Sequence, residues 1–317
     1  MRGETETCLV KILIPQSSYL IPLKGGSMEK KHTAFAGTWY PAAADACKTQ
    51  IHKFLSEKSG PATGDFAAGI VPHAGWAYSG SIACRTIASL VPSKETSGHT
   101  CVDTIVLFGA HMHKQSEPFV MTQGAIETPL GDIAVDGELV DALADSISIR
   151  RRSPQKFVDE NTLELQYPFI KYFFPDAKIV VCGVAPSFFA PIIGTTAVDT
   201  ANALQRQIRV IGSTDMTHYG AAFGFTPAGT GKEAVEWVKT KNDAAAIEAM
   251  KSMDDKAIVE QGLTHHNMCC PGAAAATAAA AKKMGASRAH LLDYATSFDT
   301  NPSDAFVGYT GLLYGQN

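Results

Sequence analysis

The chain has 317 residues, of which 45% are hydrophobic and 18% charged, and its formal net charge is −4. This length allows one large domain with a core that needs no disulfide or metal staples. The slightly acidic balance excludes the basic surface typical of a nucleic-acid-binding protein. No apolar run approaches the roughly 18 residues that span a bilayer, so we expect neither a nucleic-acid nor a membrane partner.

Residues 1–27 form an atypical start to the chain. Their apolar stretch is broken and lacks the small-residue cleavage site of a secretory leader. We expect residues 1–27 to be a disordered upstream extension or cloning remnant, and residues 28–317 to form a single domain. Because the seven cysteines are odd in number and follow no leader, we expect reduced thiols and a cytoplasmic protein.

Short β-branched runs alternate with longer helical patterns along the rest of the chain. Buried strands are predicted at 66–71, 102–109, 177–184 and 206–213, and two closing strands in "RAHLLDYATS" and "AFVGYTGLLYG". Helices are predicted at 42–57, 79–91, 136–147, 162–173 and 189–205, and the segments 230–261 and 271–284 together are predicted to form two or three more. This alternation predicts an α/β fold, with a mostly parallel central sheet flanked by helices.

Two predicted helices carry clear local signals. Asp136 precedes "GELVDAL" and is a suitable N-cap for the helix there. The segment "PGAAAATAAAAKKMG" begins with a proline, ends at a glycine and consists mostly of alanine. Because its side chains are small on every face, we expect this helix to pack tightly inside the molecule.

Three predicted strands are each followed by a histidine. His73 follows the first strand in "VPHAGWAYSG", and His111 and His113 follow the second in "GAHMH". Asp215 and His218 follow another strand in "GSTDMTHYG". Loops that leave the carboxyl ends of parallel strands form the ligand sites of open α/β sheets. Imidazole and carboxylate groups are ligands for transition metals, so the pattern favours a mononuclear metal site.

Cys269 and Cys270 stand directly before the alanine-rich helix. A helix N-terminus favours thiolate over thiol, and a thiolate is both a nucleophile and a soft metal ligand. The pair lacks the C-x-x-C spacing of a structural zinc site. Both cysteines could instead be small buried hydrophobic residues.

The other candidates also have ordinary structural explanations. His73 could cap the helix that follows it, and Asp215 could be a helix N-cap or the first residue of an Asx turn. Glu160 and Glu164 in "ENTLELQYPF" either pin a loop near the site or complement the dipole of a helix start.

Seven segments in order resemble the MEMO family, from about residue 34 to the C-terminus. They are "FAGTWYP", "VPHAGWAYSG", the histidine after "VLFGA", "ENTLELQYPF", "GSTDMTHYG", "NMCCPGAAAA" and "GYTGLLYG". The resemblance implies a fold similar to that of the class III extradiol dioxygenases, which hold iron(II) with two histidines and a glutamate. It also implies that a cysteine replaces the glutamate in this family.

Carried onto this sequence, the resemblance gives His73 and Cys269 as metal ligands. His111 is the choice for the second histidine, with His113 as the alternative. His218 takes the place of the dioxygenase acid/base, and Asp215 orients it or binds the metal. The expected metal is iron(II) or copper, with zinc as a further candidate, and a radical-SAM protein is an expected partner.

Two departures from the family pattern concern the site directly. Asn161 stands where the family often has a histidine, and Cys270 stands where a glycine usually follows the cysteine. The adjacent thiol leaves open which sulfur is the ligand, and it makes oxidative chemistry more plausible.

Three functions follow from these residues. The first is redox or oxygenase chemistry on a small substrate. The second is non-catalytic binding of a peptide or partner, with Trp76, Tyr78 and Tyr219 as aromatic walls. The third is a hydrolase or transferase in which Cys269 is the nucleophile and His218 the base.

Overall fold

The computed structural model describes residues 29–92 and 101–316, so the prediction for residues 1–27 lies outside the described part. The strands are β1 (Lys30–Lys31), β2 (Phe66–Val71), β3 (Thr104–Gly109), β4 (Phe119–Met121), β5 (Ala125–Ile126), β6 (Ile133–Ala134), β7 (Arg150–Arg152), β8 (Lys178–Gly183), β9 (Ile208–Ser213), β10 (His218–Tyr219), β11 (Arg288–Thr296) and β12 (Phe306–Gly315).

The helices are α1 (Ala44–Ser56), α2 (Ser81–Ala88), α3 (Gly137–Ser146), α4 (Asn161–Glu164), α5 (Tyr167–Phe173), α6 (Ala190–Ala203), α7 (Gly231–Trp237), α8 (Asp243–Lys251), α9 (Asp255–His265), α10 (Pro271–Lys283) and α11 (Ser297–Thr300). Two π-helical turns, Trp76–Gly80 and Val238–Asn242, and two 3₁₀ turns, Pro154–Lys156 and Ala221–Phe223, join them.

The main sheet confirms the predicted α/β class. Its order is β10-β12-β2-β9-β3-β8-β4-β7, and β11 also pairs with β12. The four central strands, β2, β9, β3 and β8, are parallel to one another. The closing strands β11 and β12 are antiparallel to each other, β12 is antiparallel to β2, and β4 is antiparallel to β8, whereas the edge strand β7 is parallel to β4. A separate small sheet has the order β1-β5-β6.

Helices cover both faces of the central sheet. A Cβ atom placed on Gly69 of β2 would contact Thr86 of α2, whereas one on Gly212 of β9 would meet Thr277 of α10. Gly212 is in register with Ile70, the residue after Gly69. Because successive residues of a strand point to opposite faces, α2 and α10 lie on opposite sides.

The alanine-rich helix α10 is buried as predicted. All residues from Pro271 to Ala281 are buried. Helix α6 approaches it so closely that a Cβ atom on Gly194 would lie 2.0 Å from the carbonyl oxygen of Ala276. Small side chains on both helices allow this contact, which gives α10 a fixed position against the sheet.

One predicted helix is interrupted in the structure, and the segment 230–261 contains more helices than the one or two predicted there. The segment 162–173 is divided between α4 and α5, which has Pro168 in its first turn. The segment 230–261 forms α7, a π-helical turn, α8 and most of α9, with Met253 at a positive φ of 53° before α9. The predicted N-cap is confirmed, because the Asp136 side chain accepts a hydrogen bond from the backbone N–H of Leu139.

The topology brings the histidine-bearing loops to one edge of the sheet. Strands β2, β9 and β3 are adjacent and parallel, and they lead into His73, Asp215 and His111 respectively. Within residues 29–92 and 101–316, no helix has both the length and the apolar character needed to cross a membrane.

Candidate metal centre

Four side chains from distant parts of the chain converge at this edge. The potential ligand atoms of His73, His111, Cys269 and Cys270 all lie within 4.8 Å of one another. The two histidines follow strands β2 and β3, and the cysteines stand at the start of α10. Together they form a group that could hold a metal ion.

His73 is buried, and both its backbone and its ring form polar contacts. Its backbone N–H donates to Asp215 Oδ1 at 2.7 Å, and its carbonyl oxygen accepts from Asn161 Nδ2 at 3.2 Å. On the ring, Nδ1 lies 3.0 Å from Ser213 Oγ, and Nε2 lies 3.2 Å from Cys269 Sγ. The ring therefore presents Nε2 to the cluster. Sequence reasoning gave Ser213 no role, although it lies in the quoted "GSTDMTHYG" segment.

His111 owes its position to an unusual backbone turn. Ala110 has a positive φ of 75°, and its N–H donates to Thr162 Oγ1 at 2.7 Å. This turn places His111 with its Nδ1–H donating to Glu160 Oε1 at 2.8 Å and its ring edge against His73, 5.1 Å between ring centroids. His113 is exposed and outside the group, so the structure favours His111 of the two alternatives.

Glu160 and His111 form a charge pair at the edge of the cluster. Burial opposes the charged imidazolium, but Cys269 and Glu160 raise the pKa of His111 to about 10. Burial likewise opposes the Glu160 carboxylate, yet His111 lowers the pKa of that carboxyl. Both shifts belong to the metal-free site.

Cys269 is the thiolate of the pair. The backbone N–H of Asp215 lies 3.3 Å from Cys269 Sγ, and Cys270 Sγ lies 3.7 Å away. Burial disfavours the thiolate, but Cys270 and the histidines around it lower the pKa of Cys269 well below the usual value. Burial and the adjacent thiolate raise the pKa of Cys270. The two sulfurs therefore differ in acidity, and Cys269, the sulfur chosen from the sequence, is the one that favours the thiolate.

Asp215 and His218 complete the cluster. Asp215 Oδ2 lies 3.8 Å from both His73 Nε2 and His218 Nε2, which is too long for a hydrogen bond. His218 Nε2 is buried and has no hydrogen-bond partner among residues 29–92 and 101–316. Burial opposes its protonation, but Asp215 and Cys269 raise the pKa of His218 to about 10.

Comparison with known proteins identifies the family of this chain. Residues 31–313 match the family model described as Memo-like protein. The chain belongs to the Memo family. Similar proteins named MEMO1 family protein occur in Thermococcus onnurineus, at 29% identity over 90% of this chain and 99% of the relative. Others are found in Pyrococcus abyssi, at 30% identity over 89% and 98%, and in Methanopyrus kandleri, at 30% over 90% and 99%.

The two Memo-family glutamates in "ENTLE" pin loops, which was one of their two predicted roles. Glu160 holds His111, and the buried Glu164 accepts hydrogen bonds from the backbone N–H groups of Ala34 and Phe35 and from the hydroxyl of Tyr40. Asn161, which stands where the family often has a histidine, donates to the His73 carbonyl instead of offering a ring nitrogen.

None of the three aromatic residues predicted as pocket walls lines the cavity that adjoins the cluster. Trp76 is buried, stacks on Phe169 at 4.1 Å and donates to the carbonyl of Leu165. Tyr219 is fully buried in a second small core, and its hydroxyl donates to the carbonyl of Gly229. Burial of their rings in cores removes both from the site. Tyr78 is exposed and lines a separate shallow depression.

A cavity of about 450 Å³ adjoins the cluster. Cys269 and His218 line one part of it, and the rest of its wall is formed mainly by apolar side chains, which include Met112, Met216, Phe223, Phe225 and Met268. The aromatic wall is thus Phe223 and Phe225, from the segment directly after His218. The two phenylalanines in "YGAAFGF" were the signal that sequence reasoning did not use.

Proposed function

We propose that this Memo-family protein binds one redox-active metal ion, iron(II) or copper, and oxidises a small substrate. His73, His111 and Cys269 would hold the metal, and zinc is a third candidate ion. The observation that carries the proposal is the convergence of these ligand atoms within 4.8 Å. Two imidazoles and a thiolate are a donor set that suits iron, copper and zinc.

The residues around the cluster support a site built for a metal. Ser213 contacts Nδ1 of His73, and Glu160 contacts Nδ1 of His111. Nε2 of each ring therefore remains for an ion. Such outer contacts fix the tautomer and orientation of metal-binding histidines. Bound there, the ion would supply Lewis-acid and one-electron redox chemistry.

His218 and Asp215 are the proton-handling part of the proposal. His218 Nε2 is buried without a hydrogen-bond partner among the described residues, and the ring lines the cavity. It can therefore hold a proton at Nε2 for exchange with a substrate, while the Asp215 carboxylate 3.8 Å away favours the protonated ring. The apolar wall around them would exclude water from a substrate of small size.

Metal titration tests the proposal directly. Anaerobic titration of purified protein with Fe(II), and separately with Cu(I), should give one equivalent bound, confirmed by elemental analysis. His73→Ala and Cys269→Ala should each weaken binding at least about tenfold, because each removes one ligand. His113→Ala is the matched control, since this exposed histidine lies outside the group.

Binding that is unchanged in the His73 and Cys269 variants would contradict the ligand assignment. Equal losses in the His113 variant would show that the effect is not specific to the group. Activity screening with oxygen and small aromatic substrates follows only if the metal is bound.

A thiol-dependent transferase or hydrolase is the second candidate function. Cys269 favours it, because its pKa is well below the usual value and His73 Nε2 lies 3.2 Å from its sulfur. Iodoacetamide should label Cys269 of the metal-free protein faster than the buried Cys182 or Cys84. Peptide mapping by mass spectrometry gives the rates. Equal, slow labelling of all three would remove this candidate.

The resemblance also carries two proposals about cellular context. A radical-SAM partner protein and a cytoplasmic location remain predictions, and co-purification from native cells and fractionation test them. A peptide ligand remains an alternative occupant of the cavity, now against Phe223 and Phe225 rather than Trp76 and Tyr219.

A further inference from the structure

A second cavity, of about 410 Å³, lies beside the candidate metal centre. His111 and Glu160 line one part of it, and Arg150 and Arg152 of the edge strand β7 line another. Met112 lines both this cavity and the one that contains Cys269 and His218. The two cavities therefore adjoin on either side of Met112.

One arginine of this second cavity has no polar protein partner among the described residues. Arg150 pairs with Glu117, and His111 pairs with Glu160. The guanidinium of Arg152 forms no ion pair and no hydrogen bond within the part of the chain that the structure describes. Within that part, this leaves one guanidinium without a polar protein partner at the wall of the cavity that His111 also lines.

Arg152 is nevertheless held in place. Its guanidinium carbon lies 4.4 Å from the ring centroid of the buried Phe119, a cation–π contact. Within the described chain, none of the five N–H groups of this guanidinium forms a hydrogen bond. The side chain is thus oriented while its donors stay available for a ligand.

A fixed guanidinium fork with free donors matches the two oxygens of a carboxylate. A single unpaired guanidinium suits one carboxylate, whereas a second negative group on the ligand would meet the carboxylates of Glu117 and Glu160 in the same cavity. The apolar wall across Met112 suits a hydrocarbon or aromatic part of the same molecule.

We infer that Arg152 binds the carboxylate of a small, partly apolar acid whose apolar part lies along Met112 toward Phe223. As an account of the substrate, this rests on the proposed function. As an anion site, it stands on the second cavity alone.

The test is a comparison of two probes of equal shape. The affinities of 3-phenylpropanoate and its neutral analogue 3-phenylpropanamide for metal-free protein are measured by ligand-observed NMR titration. The wild type should prefer the acid by roughly tenfold or more, as expected for a charge-assisted hydrogen-bond pair. Arg152→Gln should weaken binding of the acid by the same factor and remove the preference.

Arg151→Gln is the matched control, since Arg151 lies on the same strand but pairs with Asp145 and does not line the cavity. It should leave the preference unchanged. The inference is overturned if the wild type shows no saturable binding of the acid or does not prefer it. It is also overturned if the Arg152 variant behaves as the wild type, or if the Arg151 variant loses as much.

Metal titration of the same variants separates this inference from the proposed function. Because Arg152 is outside the ligand group, Arg152→Gln should bind metal as the wild type does. Failure of the wild type to bind metal, with the acid preference intact, would remove the proposed function and leave the anion site. Normal metal binding without a preference for the acid would overturn the anion site and leave the proposed function standing.

Discussion

Asp243 is a fully buried carboxylate behind the candidate centre. It accepts hydrogen bonds from the backbone N–H and the hydroxyl of Thr217, the residue before His218, and from the hydroxyl of Tyr294. Burial outweighs these hydrogen bonds and raises the pKa of Asp243 to about 6. At neutral pH the protein therefore maintains an ionised group at a cost to its stability.

The pH dependence of stability should show this cost. The pKa of Asp243 in the folded state is above its value in the unfolded chain, so the folded state binds this proton more tightly. The stabilising contribution of Asp243 to the free energy of unfolding is therefore fully present below about pH 4 and is lost as pH rises through about 6. Relative to Asp243→Asn, the wild type should lose about 2 kcal/mol of unfolding free energy between pH 4.5 and 7.5. Urea denaturation of both metal-free proteins at the two pH values measures the difference. Parallel pH profiles would contradict the raised pKa.

Helix α10 determines where Cys269 stands relative to the strand ends. It is buried along most of its length, so its position depends on close packing rather than on polar contacts. The contact of Gly194 in α6 with Ala276 is the closest point, because any side chain there would meet the α10 backbone. The composition of α10 predicted that this helix is buried. It could not predict that α6 packs against it, because α6 is distant in sequence.

Gly194→Ala should therefore destabilise the protein although alanine is the better helix former. We expect a loss of about 2 kcal/mol, because overpacking outweighs the roughly 1 kcal/mol gained in helix propensity. Asn202→Ala, at an exposed position of the same helix, should cost little or nothing. Chemical denaturation of the three proteins checks this. A Gly194 variant as stable as the wild type would mean that α6 can move away from α10 without cost.

The whole molecule brings the candidate ligands together from distant positions. His73 and Cys269 are 196 residues apart in sequence, and their side chains lie 3.2 Å apart. Adjacent parallel strands β2, β9 and β3, together with the start of α10, produce this arrangement. A metal bound there would link the central sheet to α10.

Metal should consequently stabilise the entire fold. At a hundred times the dissociation constant, binding to the folded state alone adds about 2.7 kcal/mol of unfolding free energy. For a chain of this size, the melting temperature should rise by roughly 5 °C or more. Anaerobic calorimetry with and without Fe(II) measures the shift, and His73→Ala should show a shift of about half that size or less at the same Fe(II) concentration. A shift of equal size in that variant would place the metal elsewhere.

The amino-acid sequence by itself determined the fold class, the central strands, the burial of α10 and the choice of strand ends for the site. These follow from hydrophobic periodicity and from the rule that loops at the carboxyl ends of parallel strands converge. The tertiary structure alone placed His111, and not His113, in the group of potential ligands, through the positive φ of Ala110 and its hydrogen bond to Thr162. The tertiary structure also buries Trp76 in the core, although the sequence had predicted it as a wall of the pocket. Side-chain direction depends on partners far away in sequence, and local patterns carry no information about them.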